Sequence, residues 1–521
     1  MNIPFILEKA LSLYRDKEAI VDGKKRFTYG EFAGRVYRLA NFLENNGVNQ
    51  GDCLAILHHN SSEFLEAYFA AAQLGVILNP LNFRLAPQEL AFILKDSGAS
   101  LIIAADRFAS QVSSIEELDT DLRMVLWTGD EGPSIKLDSM NYEKAMAKTS
   151  PMPPKEFMGS DNEVAHLYYT SGTTGKPKGV MLTHKNVCSH ALAAIAELRL
   201  CDTDNWMHVA PLFHLADAWA SFAVTWVGGK HVVVGDFEPP IVLAAIQEER
   251  ITLTNMIPTT LNMLINTRGV EAYDFSSLRV LLSGGSPIAP EVVRKVMDTF
   301  KCDYIQTYGM TETSPYLTVS ILKENLAHLS REEQFFYKAK TGRPFIGVLL
   351  KVIRDNGEEV EPDDREVGEI IVKGDIVTKG YWNNPEETSR SIINGWLHTG
   401  DLAVMDKEGY VNIVDRKKDM IITGGENVYS TEVENMLYTH PAVLEAAVIG
   451  IPDPKWGETV KAFVVFKEGT QATEEEIIQF CKEKIARYKA PKSVDFLPKL
   501  PKTGSGKIYK KGLKLSTTGS Q

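Results

Sequence analysis

Cysteine is scarce: Cys53, Cys188, Cys201, Cys302 and Cys481 are the five in 521 residues, an odd number with no CxxC pair. That excludes a disulfide framework and a clustered-thiolate zinc site, and makes a reducing cytoplasm the natural setting. No apolar run reaches the roughly 18 residues that cross a bilayer. The opening MNIPFILEKALSLYRDK breaks its short apolar stretch with Glu8 and Lys9, so neither a secretory signal nor an integral membrane segment is expected. Positive charge is in deficit as well. Lys and Arg number 56 against 68 Asp and Glu, a formal −12, which argues against nucleic acid as a partner. Two catalytic signatures are also missing, the GxxxxGK[ST] phosphate loop and the GxSxG nucleophile elbow.

What is present is ordinary globular material, 44% hydrophobic and 24% charged, long enough for two to four domain-sized units at ~150 residues each. Short β-rich runs (DCLAILH, SLIIAAD, HVVVGDF, RVLLSGG) alternate with stretches that read as amphipathic helices, such as SSEFLEAYFAAAQLG and PEVVRKVMDTF. That alternation predicts parallel sheets covered by helices, an α/β fold with doubly wound sheets. From about Gly342 the texture changes to LLKVIRD, GEIIVKG and GYVNIVDR, short strands that predict a β subdomain over 342–414. After Arg416 the segments STEVENMLYTH, LEAAVIGIPD, KAFVVFKEG and EEEIIQFCKEKI predict a compact α+β unit over 419–521. The expected division is therefore 1–414, a junction at 415–418, and 419–521. The last unit is locally basic: Lys482 to Gln521 holds eleven Lys/Arg against Glu483 and Asp495. A charge run is usually a solvated surface, but here PKTGSGK sets Gly504 and Gly506 beside Lys507, a loop suited to reaching an anion.

The most informative stretch is HLYYTSGTTGKPKGVMLTH, residues 166–184. Thr170, Ser171, Gly172, Thr173, Thr174, Gly175 and Lys178 offer unhindered backbone N–H groups, hydroxyls and ammonium charge, an inventory for wrapping a polyphosphate. Pro177 follows Lys176, and Gly179-Val180-Met181-Leu182 resumes a strand, so the expected architecture is strand–loop–strand.

YTSGTTGKPKGV (169–180) resembles the phosphate-loop signature of the adenylate-forming superfamily, which holds acyl-CoA synthetases, luciferases and peptide-synthetase adenylation domains. Other motifs similar to that family's follow in order: GGSP at 284–287, QTYGMTET at 306–313, GRP at 342–344, YWNNPEET at 381–388, HTGD at 398–401, DRKKDMIITGGENVYSTEVE at 415–434 and PKTGSGK at 501–507. The resemblance implies ATP, Mg²⁺ and coenzyme A as cosubstrates and cofactor, and a large N-terminal domain carrying a mobile C-terminal one.

The resemblance also implies roles. Gly284, Gly285, Ser286, Gln306, Thr307, Tyr308, Gly309 and Met310 join the 170–178 loop as the nucleotide site, with the Tyr308 ring on adenine. Thr311 contacts the reacting phosphate region, and Glu312 binds magnesium, for which Thr174 is a second candidate. Asp401 accepts the ribose hydroxyls, and Arg416 lies near the ribose and α-phosphate. His214, Ala218 and Trp219 line the acyl pocket. Lys507 draws the two anionic reactants together for adenylation. Lys418 is the hinge, and Gly424, Gly425 and Glu426, in a glycine-rich strand, approach coenzyme A.

The implied activity is an AMP-forming carboxylic acid–CoA ligase. The largely apolar LFHLADAWASFAVTW favours a medium- or long-chain fatty acid over an amino acid, although Asp217 lies inside it. An aryl or alicyclic acid, or an adenylation enzyme loading a carrier protein, is the alternative. A homodimer fits, because dimers are frequent in similar proteins.

Overall fold

The computed structural model describes residues 1–129, 132, 135–155, 159–171, 177–502 and 508–518. Among the described residues the strands form four sheets. The nine-stranded sheet runs, in spatial order, Arg343–Pro344, Tyr316–Val319, Asp303–Gly309, Val280–Gly284, Leu253–Met256, Asn205–His208, Lys230–Val233, Glu18–Asp22 and Lys25–Thr28. Its six central strands, from Asp303–Gly309 to Glu18–Asp22, are parallel, and helices link the five from Asn205–His208 to Asp303–Gly309. An eight-stranded sheet runs Gly380–Tyr381, Pro177–Thr183, Val164–Ser171, Ile77–Pro80, Cys53–Leu57, Leu101–Ala105, Met124–Thr128 and Asp138–Asn141. It too is mainly parallel, as burial on both faces requires.

One helix between these sheets departs from the sequence expectation. Ser62–Leu74 read as amphipathic, yet every residue from Ser62 to Gln73 is buried. It packs against the helices Ile3–Tyr14 and Tyr29–Asn45 and against strands of both large sheets. Its two carboxylates are paired: Glu63 with Lys25, and Glu66 with Arg35 and Tyr142. Periodicity marks a face as polar, but it cannot show that the polar face is covered by partners.

A five-stranded antiparallel sheet follows, in which Leu349–Ile353, Gly368–Lys373, Trp396–Met405 and Ile392–Ile393 are neighbours and Val411–Arg416 pairs with Trp396–Met405. A turn at 417–419 leads to a last sheet built on the long hairpin Val443–Asp453 and Gly457–Phe466, flanked by Ile421–Thr423 and Ser493–Phe496. The helix Glu474–Lys484 covers it, opened by a capping box between Thr473 and Glu476. No helix of the described residues is long and apolar enough to cross a membrane.

Candidate active site

Both strands expected in the segment 166–184 are present. Val164–Ser171 pairs antiparallel with Pro177–Thr183, bringing Thr170 opposite Lys178. Thr183 then caps the helix His184–Leu198 in a capping box with Asn186, so the hairpin is braced directly behind its second strand. Gly172, Thr173, Thr174, Gly175 and Lys507 lie outside the described residues, and Ser171 is placed by its backbone only.

Lys178 is ion-paired with Glu387, near the start of the helix Pro385–Ser391, and its ammonium lies 5.6 Å from the Tyr381 ring centroid. Tyr381 sits on the short strand Gly380–Tyr381 that extends the hairpin's sheet. Its hydroxyl donates to Glu312 Oε1 at 2.9 Å. Glu312 is 7% exposed; burial raises its carboxyl above the ordinary range, while Tyr381 and the charge of Lys178 oppose that shift.

Glu312 is placed by the end of the strand Asp303–Gly309. Thr311–Thr313 form one short turn whose backbone is held by Thr313 Oγ1 on the Pro315 carbonyl (2.5 Å) and by the Thr378 N–H on the Glu312 carbonyl (2.7 Å). Upstream, the Gln306 amide donates to the Ser286 carbonyl (2.9 Å) and Thr307 Oγ1 to the Ser283 carbonyl (3.1 Å), tying QTYG to GGSP. A Cβ on Gly284 would lie 2.4 Å from Thr307 Oγ1, so this contact needs glycine.

Tyr308 donates to Asp401 Oδ2 at 2.7 Å, and Arg416 Nε stands 3.4 Å from Asp401 Oδ1. Burial, and then the charge of Asp401, hold the Tyr308 phenol well above its ordinary value, so it remains a donor. Asp401 and Arg416 are register partners on neighbouring strands. The Asp401 turn is itself fixed: its N–H donates to Thr399 Oγ1 (3.1 Å), and the Gly400 N–H to Glu369 (3.2 Å).

His214 caps the four-residue helix Leu215–Ala218, its Nδ1 accepting from the Ala216 N–H at 3.1 Å. Ala218 and Trp219 are 0% and 2% exposed. The Trp219 indole donates to the Ala216 carbonyl (3.1 Å) and the Tyr316 hydroxyl (3.0 Å), and crosses the Trp206 ring edge-on at 5.0 Å. Asp217 points away from solvent: its oxygens serve Trp206 and His208, so it is no anchor for a substrate amine.

Gly424 and Gly425 form the turn between Ile421–Thr423 and Glu426–Val428, both with positive φ (60° and 86°). The glycine-rich strand of the sequence reading is thus a hairpin turn, because two successive positive φ values suit a tight reversal. Glu426 is exposed beside it, and Lys418 is exposed in the 417–419 turn.

Four participants carried no role in the sequence reading: Tyr381, Glu387, Asp415 and Lys510. Asp415 accepts from the Ser430 N–H (2.6 Å) and hydroxyl (3.0 Å), fastening the junction to the helix Ser430–Tyr438. Lys510 donates to Ser430 Oγ (2.6 Å) and pairs with Glu434 (2.8 Å). Burial pulls Lys510 down, but Glu434 and Asp415 outweigh it and hold the ammonium above its ordinary value. On the other side of the 503–507 segment, Lys502 pairs with Glu445 (2.6 Å) and bridges Ile508. Both flanks of Lys507 are therefore anchored.

Residues 7–382 match the AMP-binding enzyme family, and 432–507 match the AMP-binding enzyme C-terminal domain. The chain belongs to this family. A feruloyl-CoA synthase of Amycolatopsis sp is 39% identical over 493 residues, 94% of each chain. The long-chain-fatty-acid–CoA ligase FadD13 of Mycobacterium tuberculosis is 33% identical, covering 98% of this chain and 97% of that one. The crystal structure of the anthranilate CoA ligase AuaEII with anthranoyl-AMP superposes with a TM-score of 0.91 at 27% identity, over 100% of this chain and 98% of that one.

Proposed function

We propose that this ATP-dependent acid–thiol ligase activates an aromatic carboxylic acid, of the aryl or arylalkenoic class, and passes it to free coenzyme A. The observation that carries the adenylation chemistry is the convergence of Tyr308, Asp401 and Arg416 beside Glu312, whose carboxyl senses both Lys178 and Asp401. In this reading Tyr308 presents its ring to adenine while its hydroxyl holds Asp401, and Asp401 accepts the ribose hydroxyls. Arg416 faces the α-phosphate, and the 170–178 hairpin holds the outer phosphates.

Glu312 suits magnesium: it is a hard-oxygen carboxylate, buried and oriented by Tyr381. Magnesium keeps several waters and substrate phosphates as ligands, so one or two carboxylates suffice to hold it. When bound there, magnesium offsets charge on the phosphate oxygens.

A carboxylate is a poor electrophile, so it is first made a better one. The acid's oxygen attacks the α-phosphorus, the α–β phosphoanhydride bond breaks and pyrophosphate leaves. Lys507 offsets the repulsion between the two anions as they meet. The thiol of coenzyme A, losing its proton, then attacks the acyl carbon and AMP departs. Between the steps the C-terminal unit turns about Lys418, withdrawing Lys507 and presenting the Gly424–Gly425 turn and Glu426 to the thiol.

The aromatic class is supported by the feruloyl-CoA synthase, with the highest identity of the relatives named above, and by the packing around His214. Trp219, Trp206 and Tyr316 are buried and mutually engaged, a boundary better matched to a short rigid acid than to a long chain. Asp217, spent inside the core, leaves nothing there to favour an amino acid. A medium- or long-chain fatty acid is the second reading, favoured by the likeness to FadD13. The test is acid-dependent release of AMP with coenzyme A as acceptor, over ferulate, benzoate, cyclohexane carboxylate and fatty acids of graded length. Turnover greatest on long-chain acids would reverse the order of the two readings, and AMP release from none would remove both.

A further inference from the structure

A buried polar chain runs behind the helix that begins at His214. Asp217, on that helix, is 0% exposed; one oxygen accepts from the Trp206 indole at 3.0 Å and the other lies 2.8 Å from His208 Nδ1. His208 Nε2 lies 2.9 Å from His231 Nδ1, and His231 Nε2 lies 2.9 Å from Thr225 Oγ1. His208, Thr225 and His231 are 0%, 0% and 1% exposed. The chain crosses from the short helix to the strand Asn205–His208, then to the neighbouring strand Lys230–Val233, and returns to the helix Ala220–Val227.

Its protons form one continuous order. Burial, and then the neighbouring His208, hold His231 well below its ordinary range, so that ring is neutral. His208 Nδ1–H donates to Asp217, and His208 Nε2 and His231 Nδ1 share one hydrogen between them; where His231 supplies it, the Thr225 hydroxyl donates to His231 Nε2. Every ring nitrogen then has a partner. A carboxylate so deeply buried is tolerated only when such donors are fixed around it.

We propose that the Asp217–His208–His231–Thr225 chain, with Trp206, is a positioning device for the acid site. It fixes the Leu215–Ala218 helix, and through it the His214 ring at one end and the Trp219 indole at the other. A single turn of helix has too few bonds of its own to hold an orientation; this one is held from outside. The Ala216 carbonyl takes the Asn255 amide at 2.5 Å and the Trp219 N–H at 3.1 Å, while the Asp217 carboxyl takes Trp206 and His208. Trp206 also supports Trp219 edge-on. The inference rests on the reading that His214 and Trp219 border the acid. In that case a displacement of about 1 Å at this helix can cost ~10²-fold in rate while leaving the nucleotide contacts alone.

Three substitutions test it. Asp217→Ala removes the acceptor for two buried N–H groups. Asp217→Asn restores one for Trp206 and lets the rest reverse: the new amide N–H donates to His208 Nδ1, His208 to His231, and His231 to Thr225, with one amide N–H left over. Thr225→Val removes the far end without touching a charge, and serves should Asp217→Ala not fold. Acid-dependent ATP–pyrophosphate exchange is measured with ferulate and decanoate as probe acids, giving kcat and KM for acid and ATP separately. Asp217→Ala is expected to lower kcat/KM for the acid by ~10–100-fold with KM for ATP within ~2-fold, Asp217→Asn to recover at least ~5-fold, and Thr225→Val to lose ~3-fold for the acid. Unchanged acid kinetics in Asp217→Ala, equal losses for acid and ATP, or Asp217→Asn no better than Asp217→Ala would each overturn the positioning role. Wild-type protein that exchanged with no acid at all would overturn the ligase reading, and this inference with it. Normal wild-type exchange beside an unaltered Asp217→Ala would overturn only the inference.

Discussion

The Tyr308 hydroxyl donates to Asp401 Oδ2 at 2.7 Å, joining residues 93 positions apart and on two different sheets. Asp401 is thereby oriented by Tyr308 on one oxygen and by Arg416 on the other. In the proposed function Asp401 holds the ribose and the Tyr308 hydroxyl only aims it, so the losses on removing each differ in size. Asp401→Ala is expected to lower kcat/KM for ATP by ~10²-fold with KM for the acid nearly unchanged, and Tyr308→Phe by ~5-fold. Pyrophosphate exchange at varied ATP checks this. Equal losses in the two variants would place Tyr308, not Asp401, as the principal ribose contact.

Glu312 yields a signed pH prediction. Burial raises its carboxyl, so it protonates at a higher pH than an exposed glutamate would. If the ionised form is needed, kcat/KM for ATP falls as pH drops through that raised value, giving an acid limb. The hydrogen bond from Tyr381 favours the ionised form, so Tyr381→Phe moves the limb to higher pH. Glu312→Gln should abolish the limb, lower kcat by ~10²-fold and weaken the response to magnesium. An acid limb that stays in place in Tyr381→Phe shows that another group titrates.

Much of this architecture was legible in the residues. Strand–helix alternation located two strands in each large sheet, Lys230–Val233 and Val280–Gly284 in one and Cys53–Leu57 and Leu101–Ala105 in the other, and the turn residues around 171–177 marked the hairpin. Two kinds of relation were not legible. Tyr381 meets Glu312 across 69 positions, and no local pattern encodes a contact made by folding a late strand onto an early hairpin. Asp217 illustrates the other kind: a carboxylate in an apolar run has the same spelling whether it faces a ligand or a core histidine. The buried Ser62–Leu74 helix misled for that reason too, since Glu63 and Glu66 have partners that only the fold supplies.

Lys507 and Lys510 lie three residues apart and should separate cleanly in function. Lys507→Ala is expected to abolish adenylate formation while thioester formation from supplied acyl-AMP survives. Lys510→Met leaves the buried Asp415 and the nearly buried Glu434 without their cation. It should destabilise the C-terminal unit by about 3 kcal/mol and slow adenylation through loss of the anchor behind the 503–507 segment. Thermal unfolding together with the two half-reactions distinguishes them. A Lys507→Ala enzyme losing both half-reactions equally contradicts rotation about Lys418, and Lys510→Met with wild-type unfolding contradicts the anchor.

Gly309 is the point where Tyr308 and Glu312 depend on one backbone contact. A Cβ placed there would lie 1.8 Å from the Pro315 carbonyl oxygen. That oxygen also accepts from the Met310 N–H (3.1 Å) and Thr313 Oγ1 (2.5 Å). A backbone carbonyl cannot swing aside as a side chain would, so alanine must push the strands Asp303–Gly309 and Tyr316–Val319 apart. Tyr308 and Glu312 move with them. Gly34, inside the helix Tyr29–Asn45, is the contrast: its nearest Cβ neighbour is Pro151 Cβ at 4.0 Å, and its φ is not positive. Gly34→Ala should stabilise by about 0.5–1 kcal/mol without altering exchange. Gly309→Ala should lower the unfolding temperature and cut kcat/KM for ATP by ~10²-fold. Matched exchange rates in the two variants would mean that the strand pair yields without moving the site, and that Gly309 is not what holds Tyr308 against Asp401.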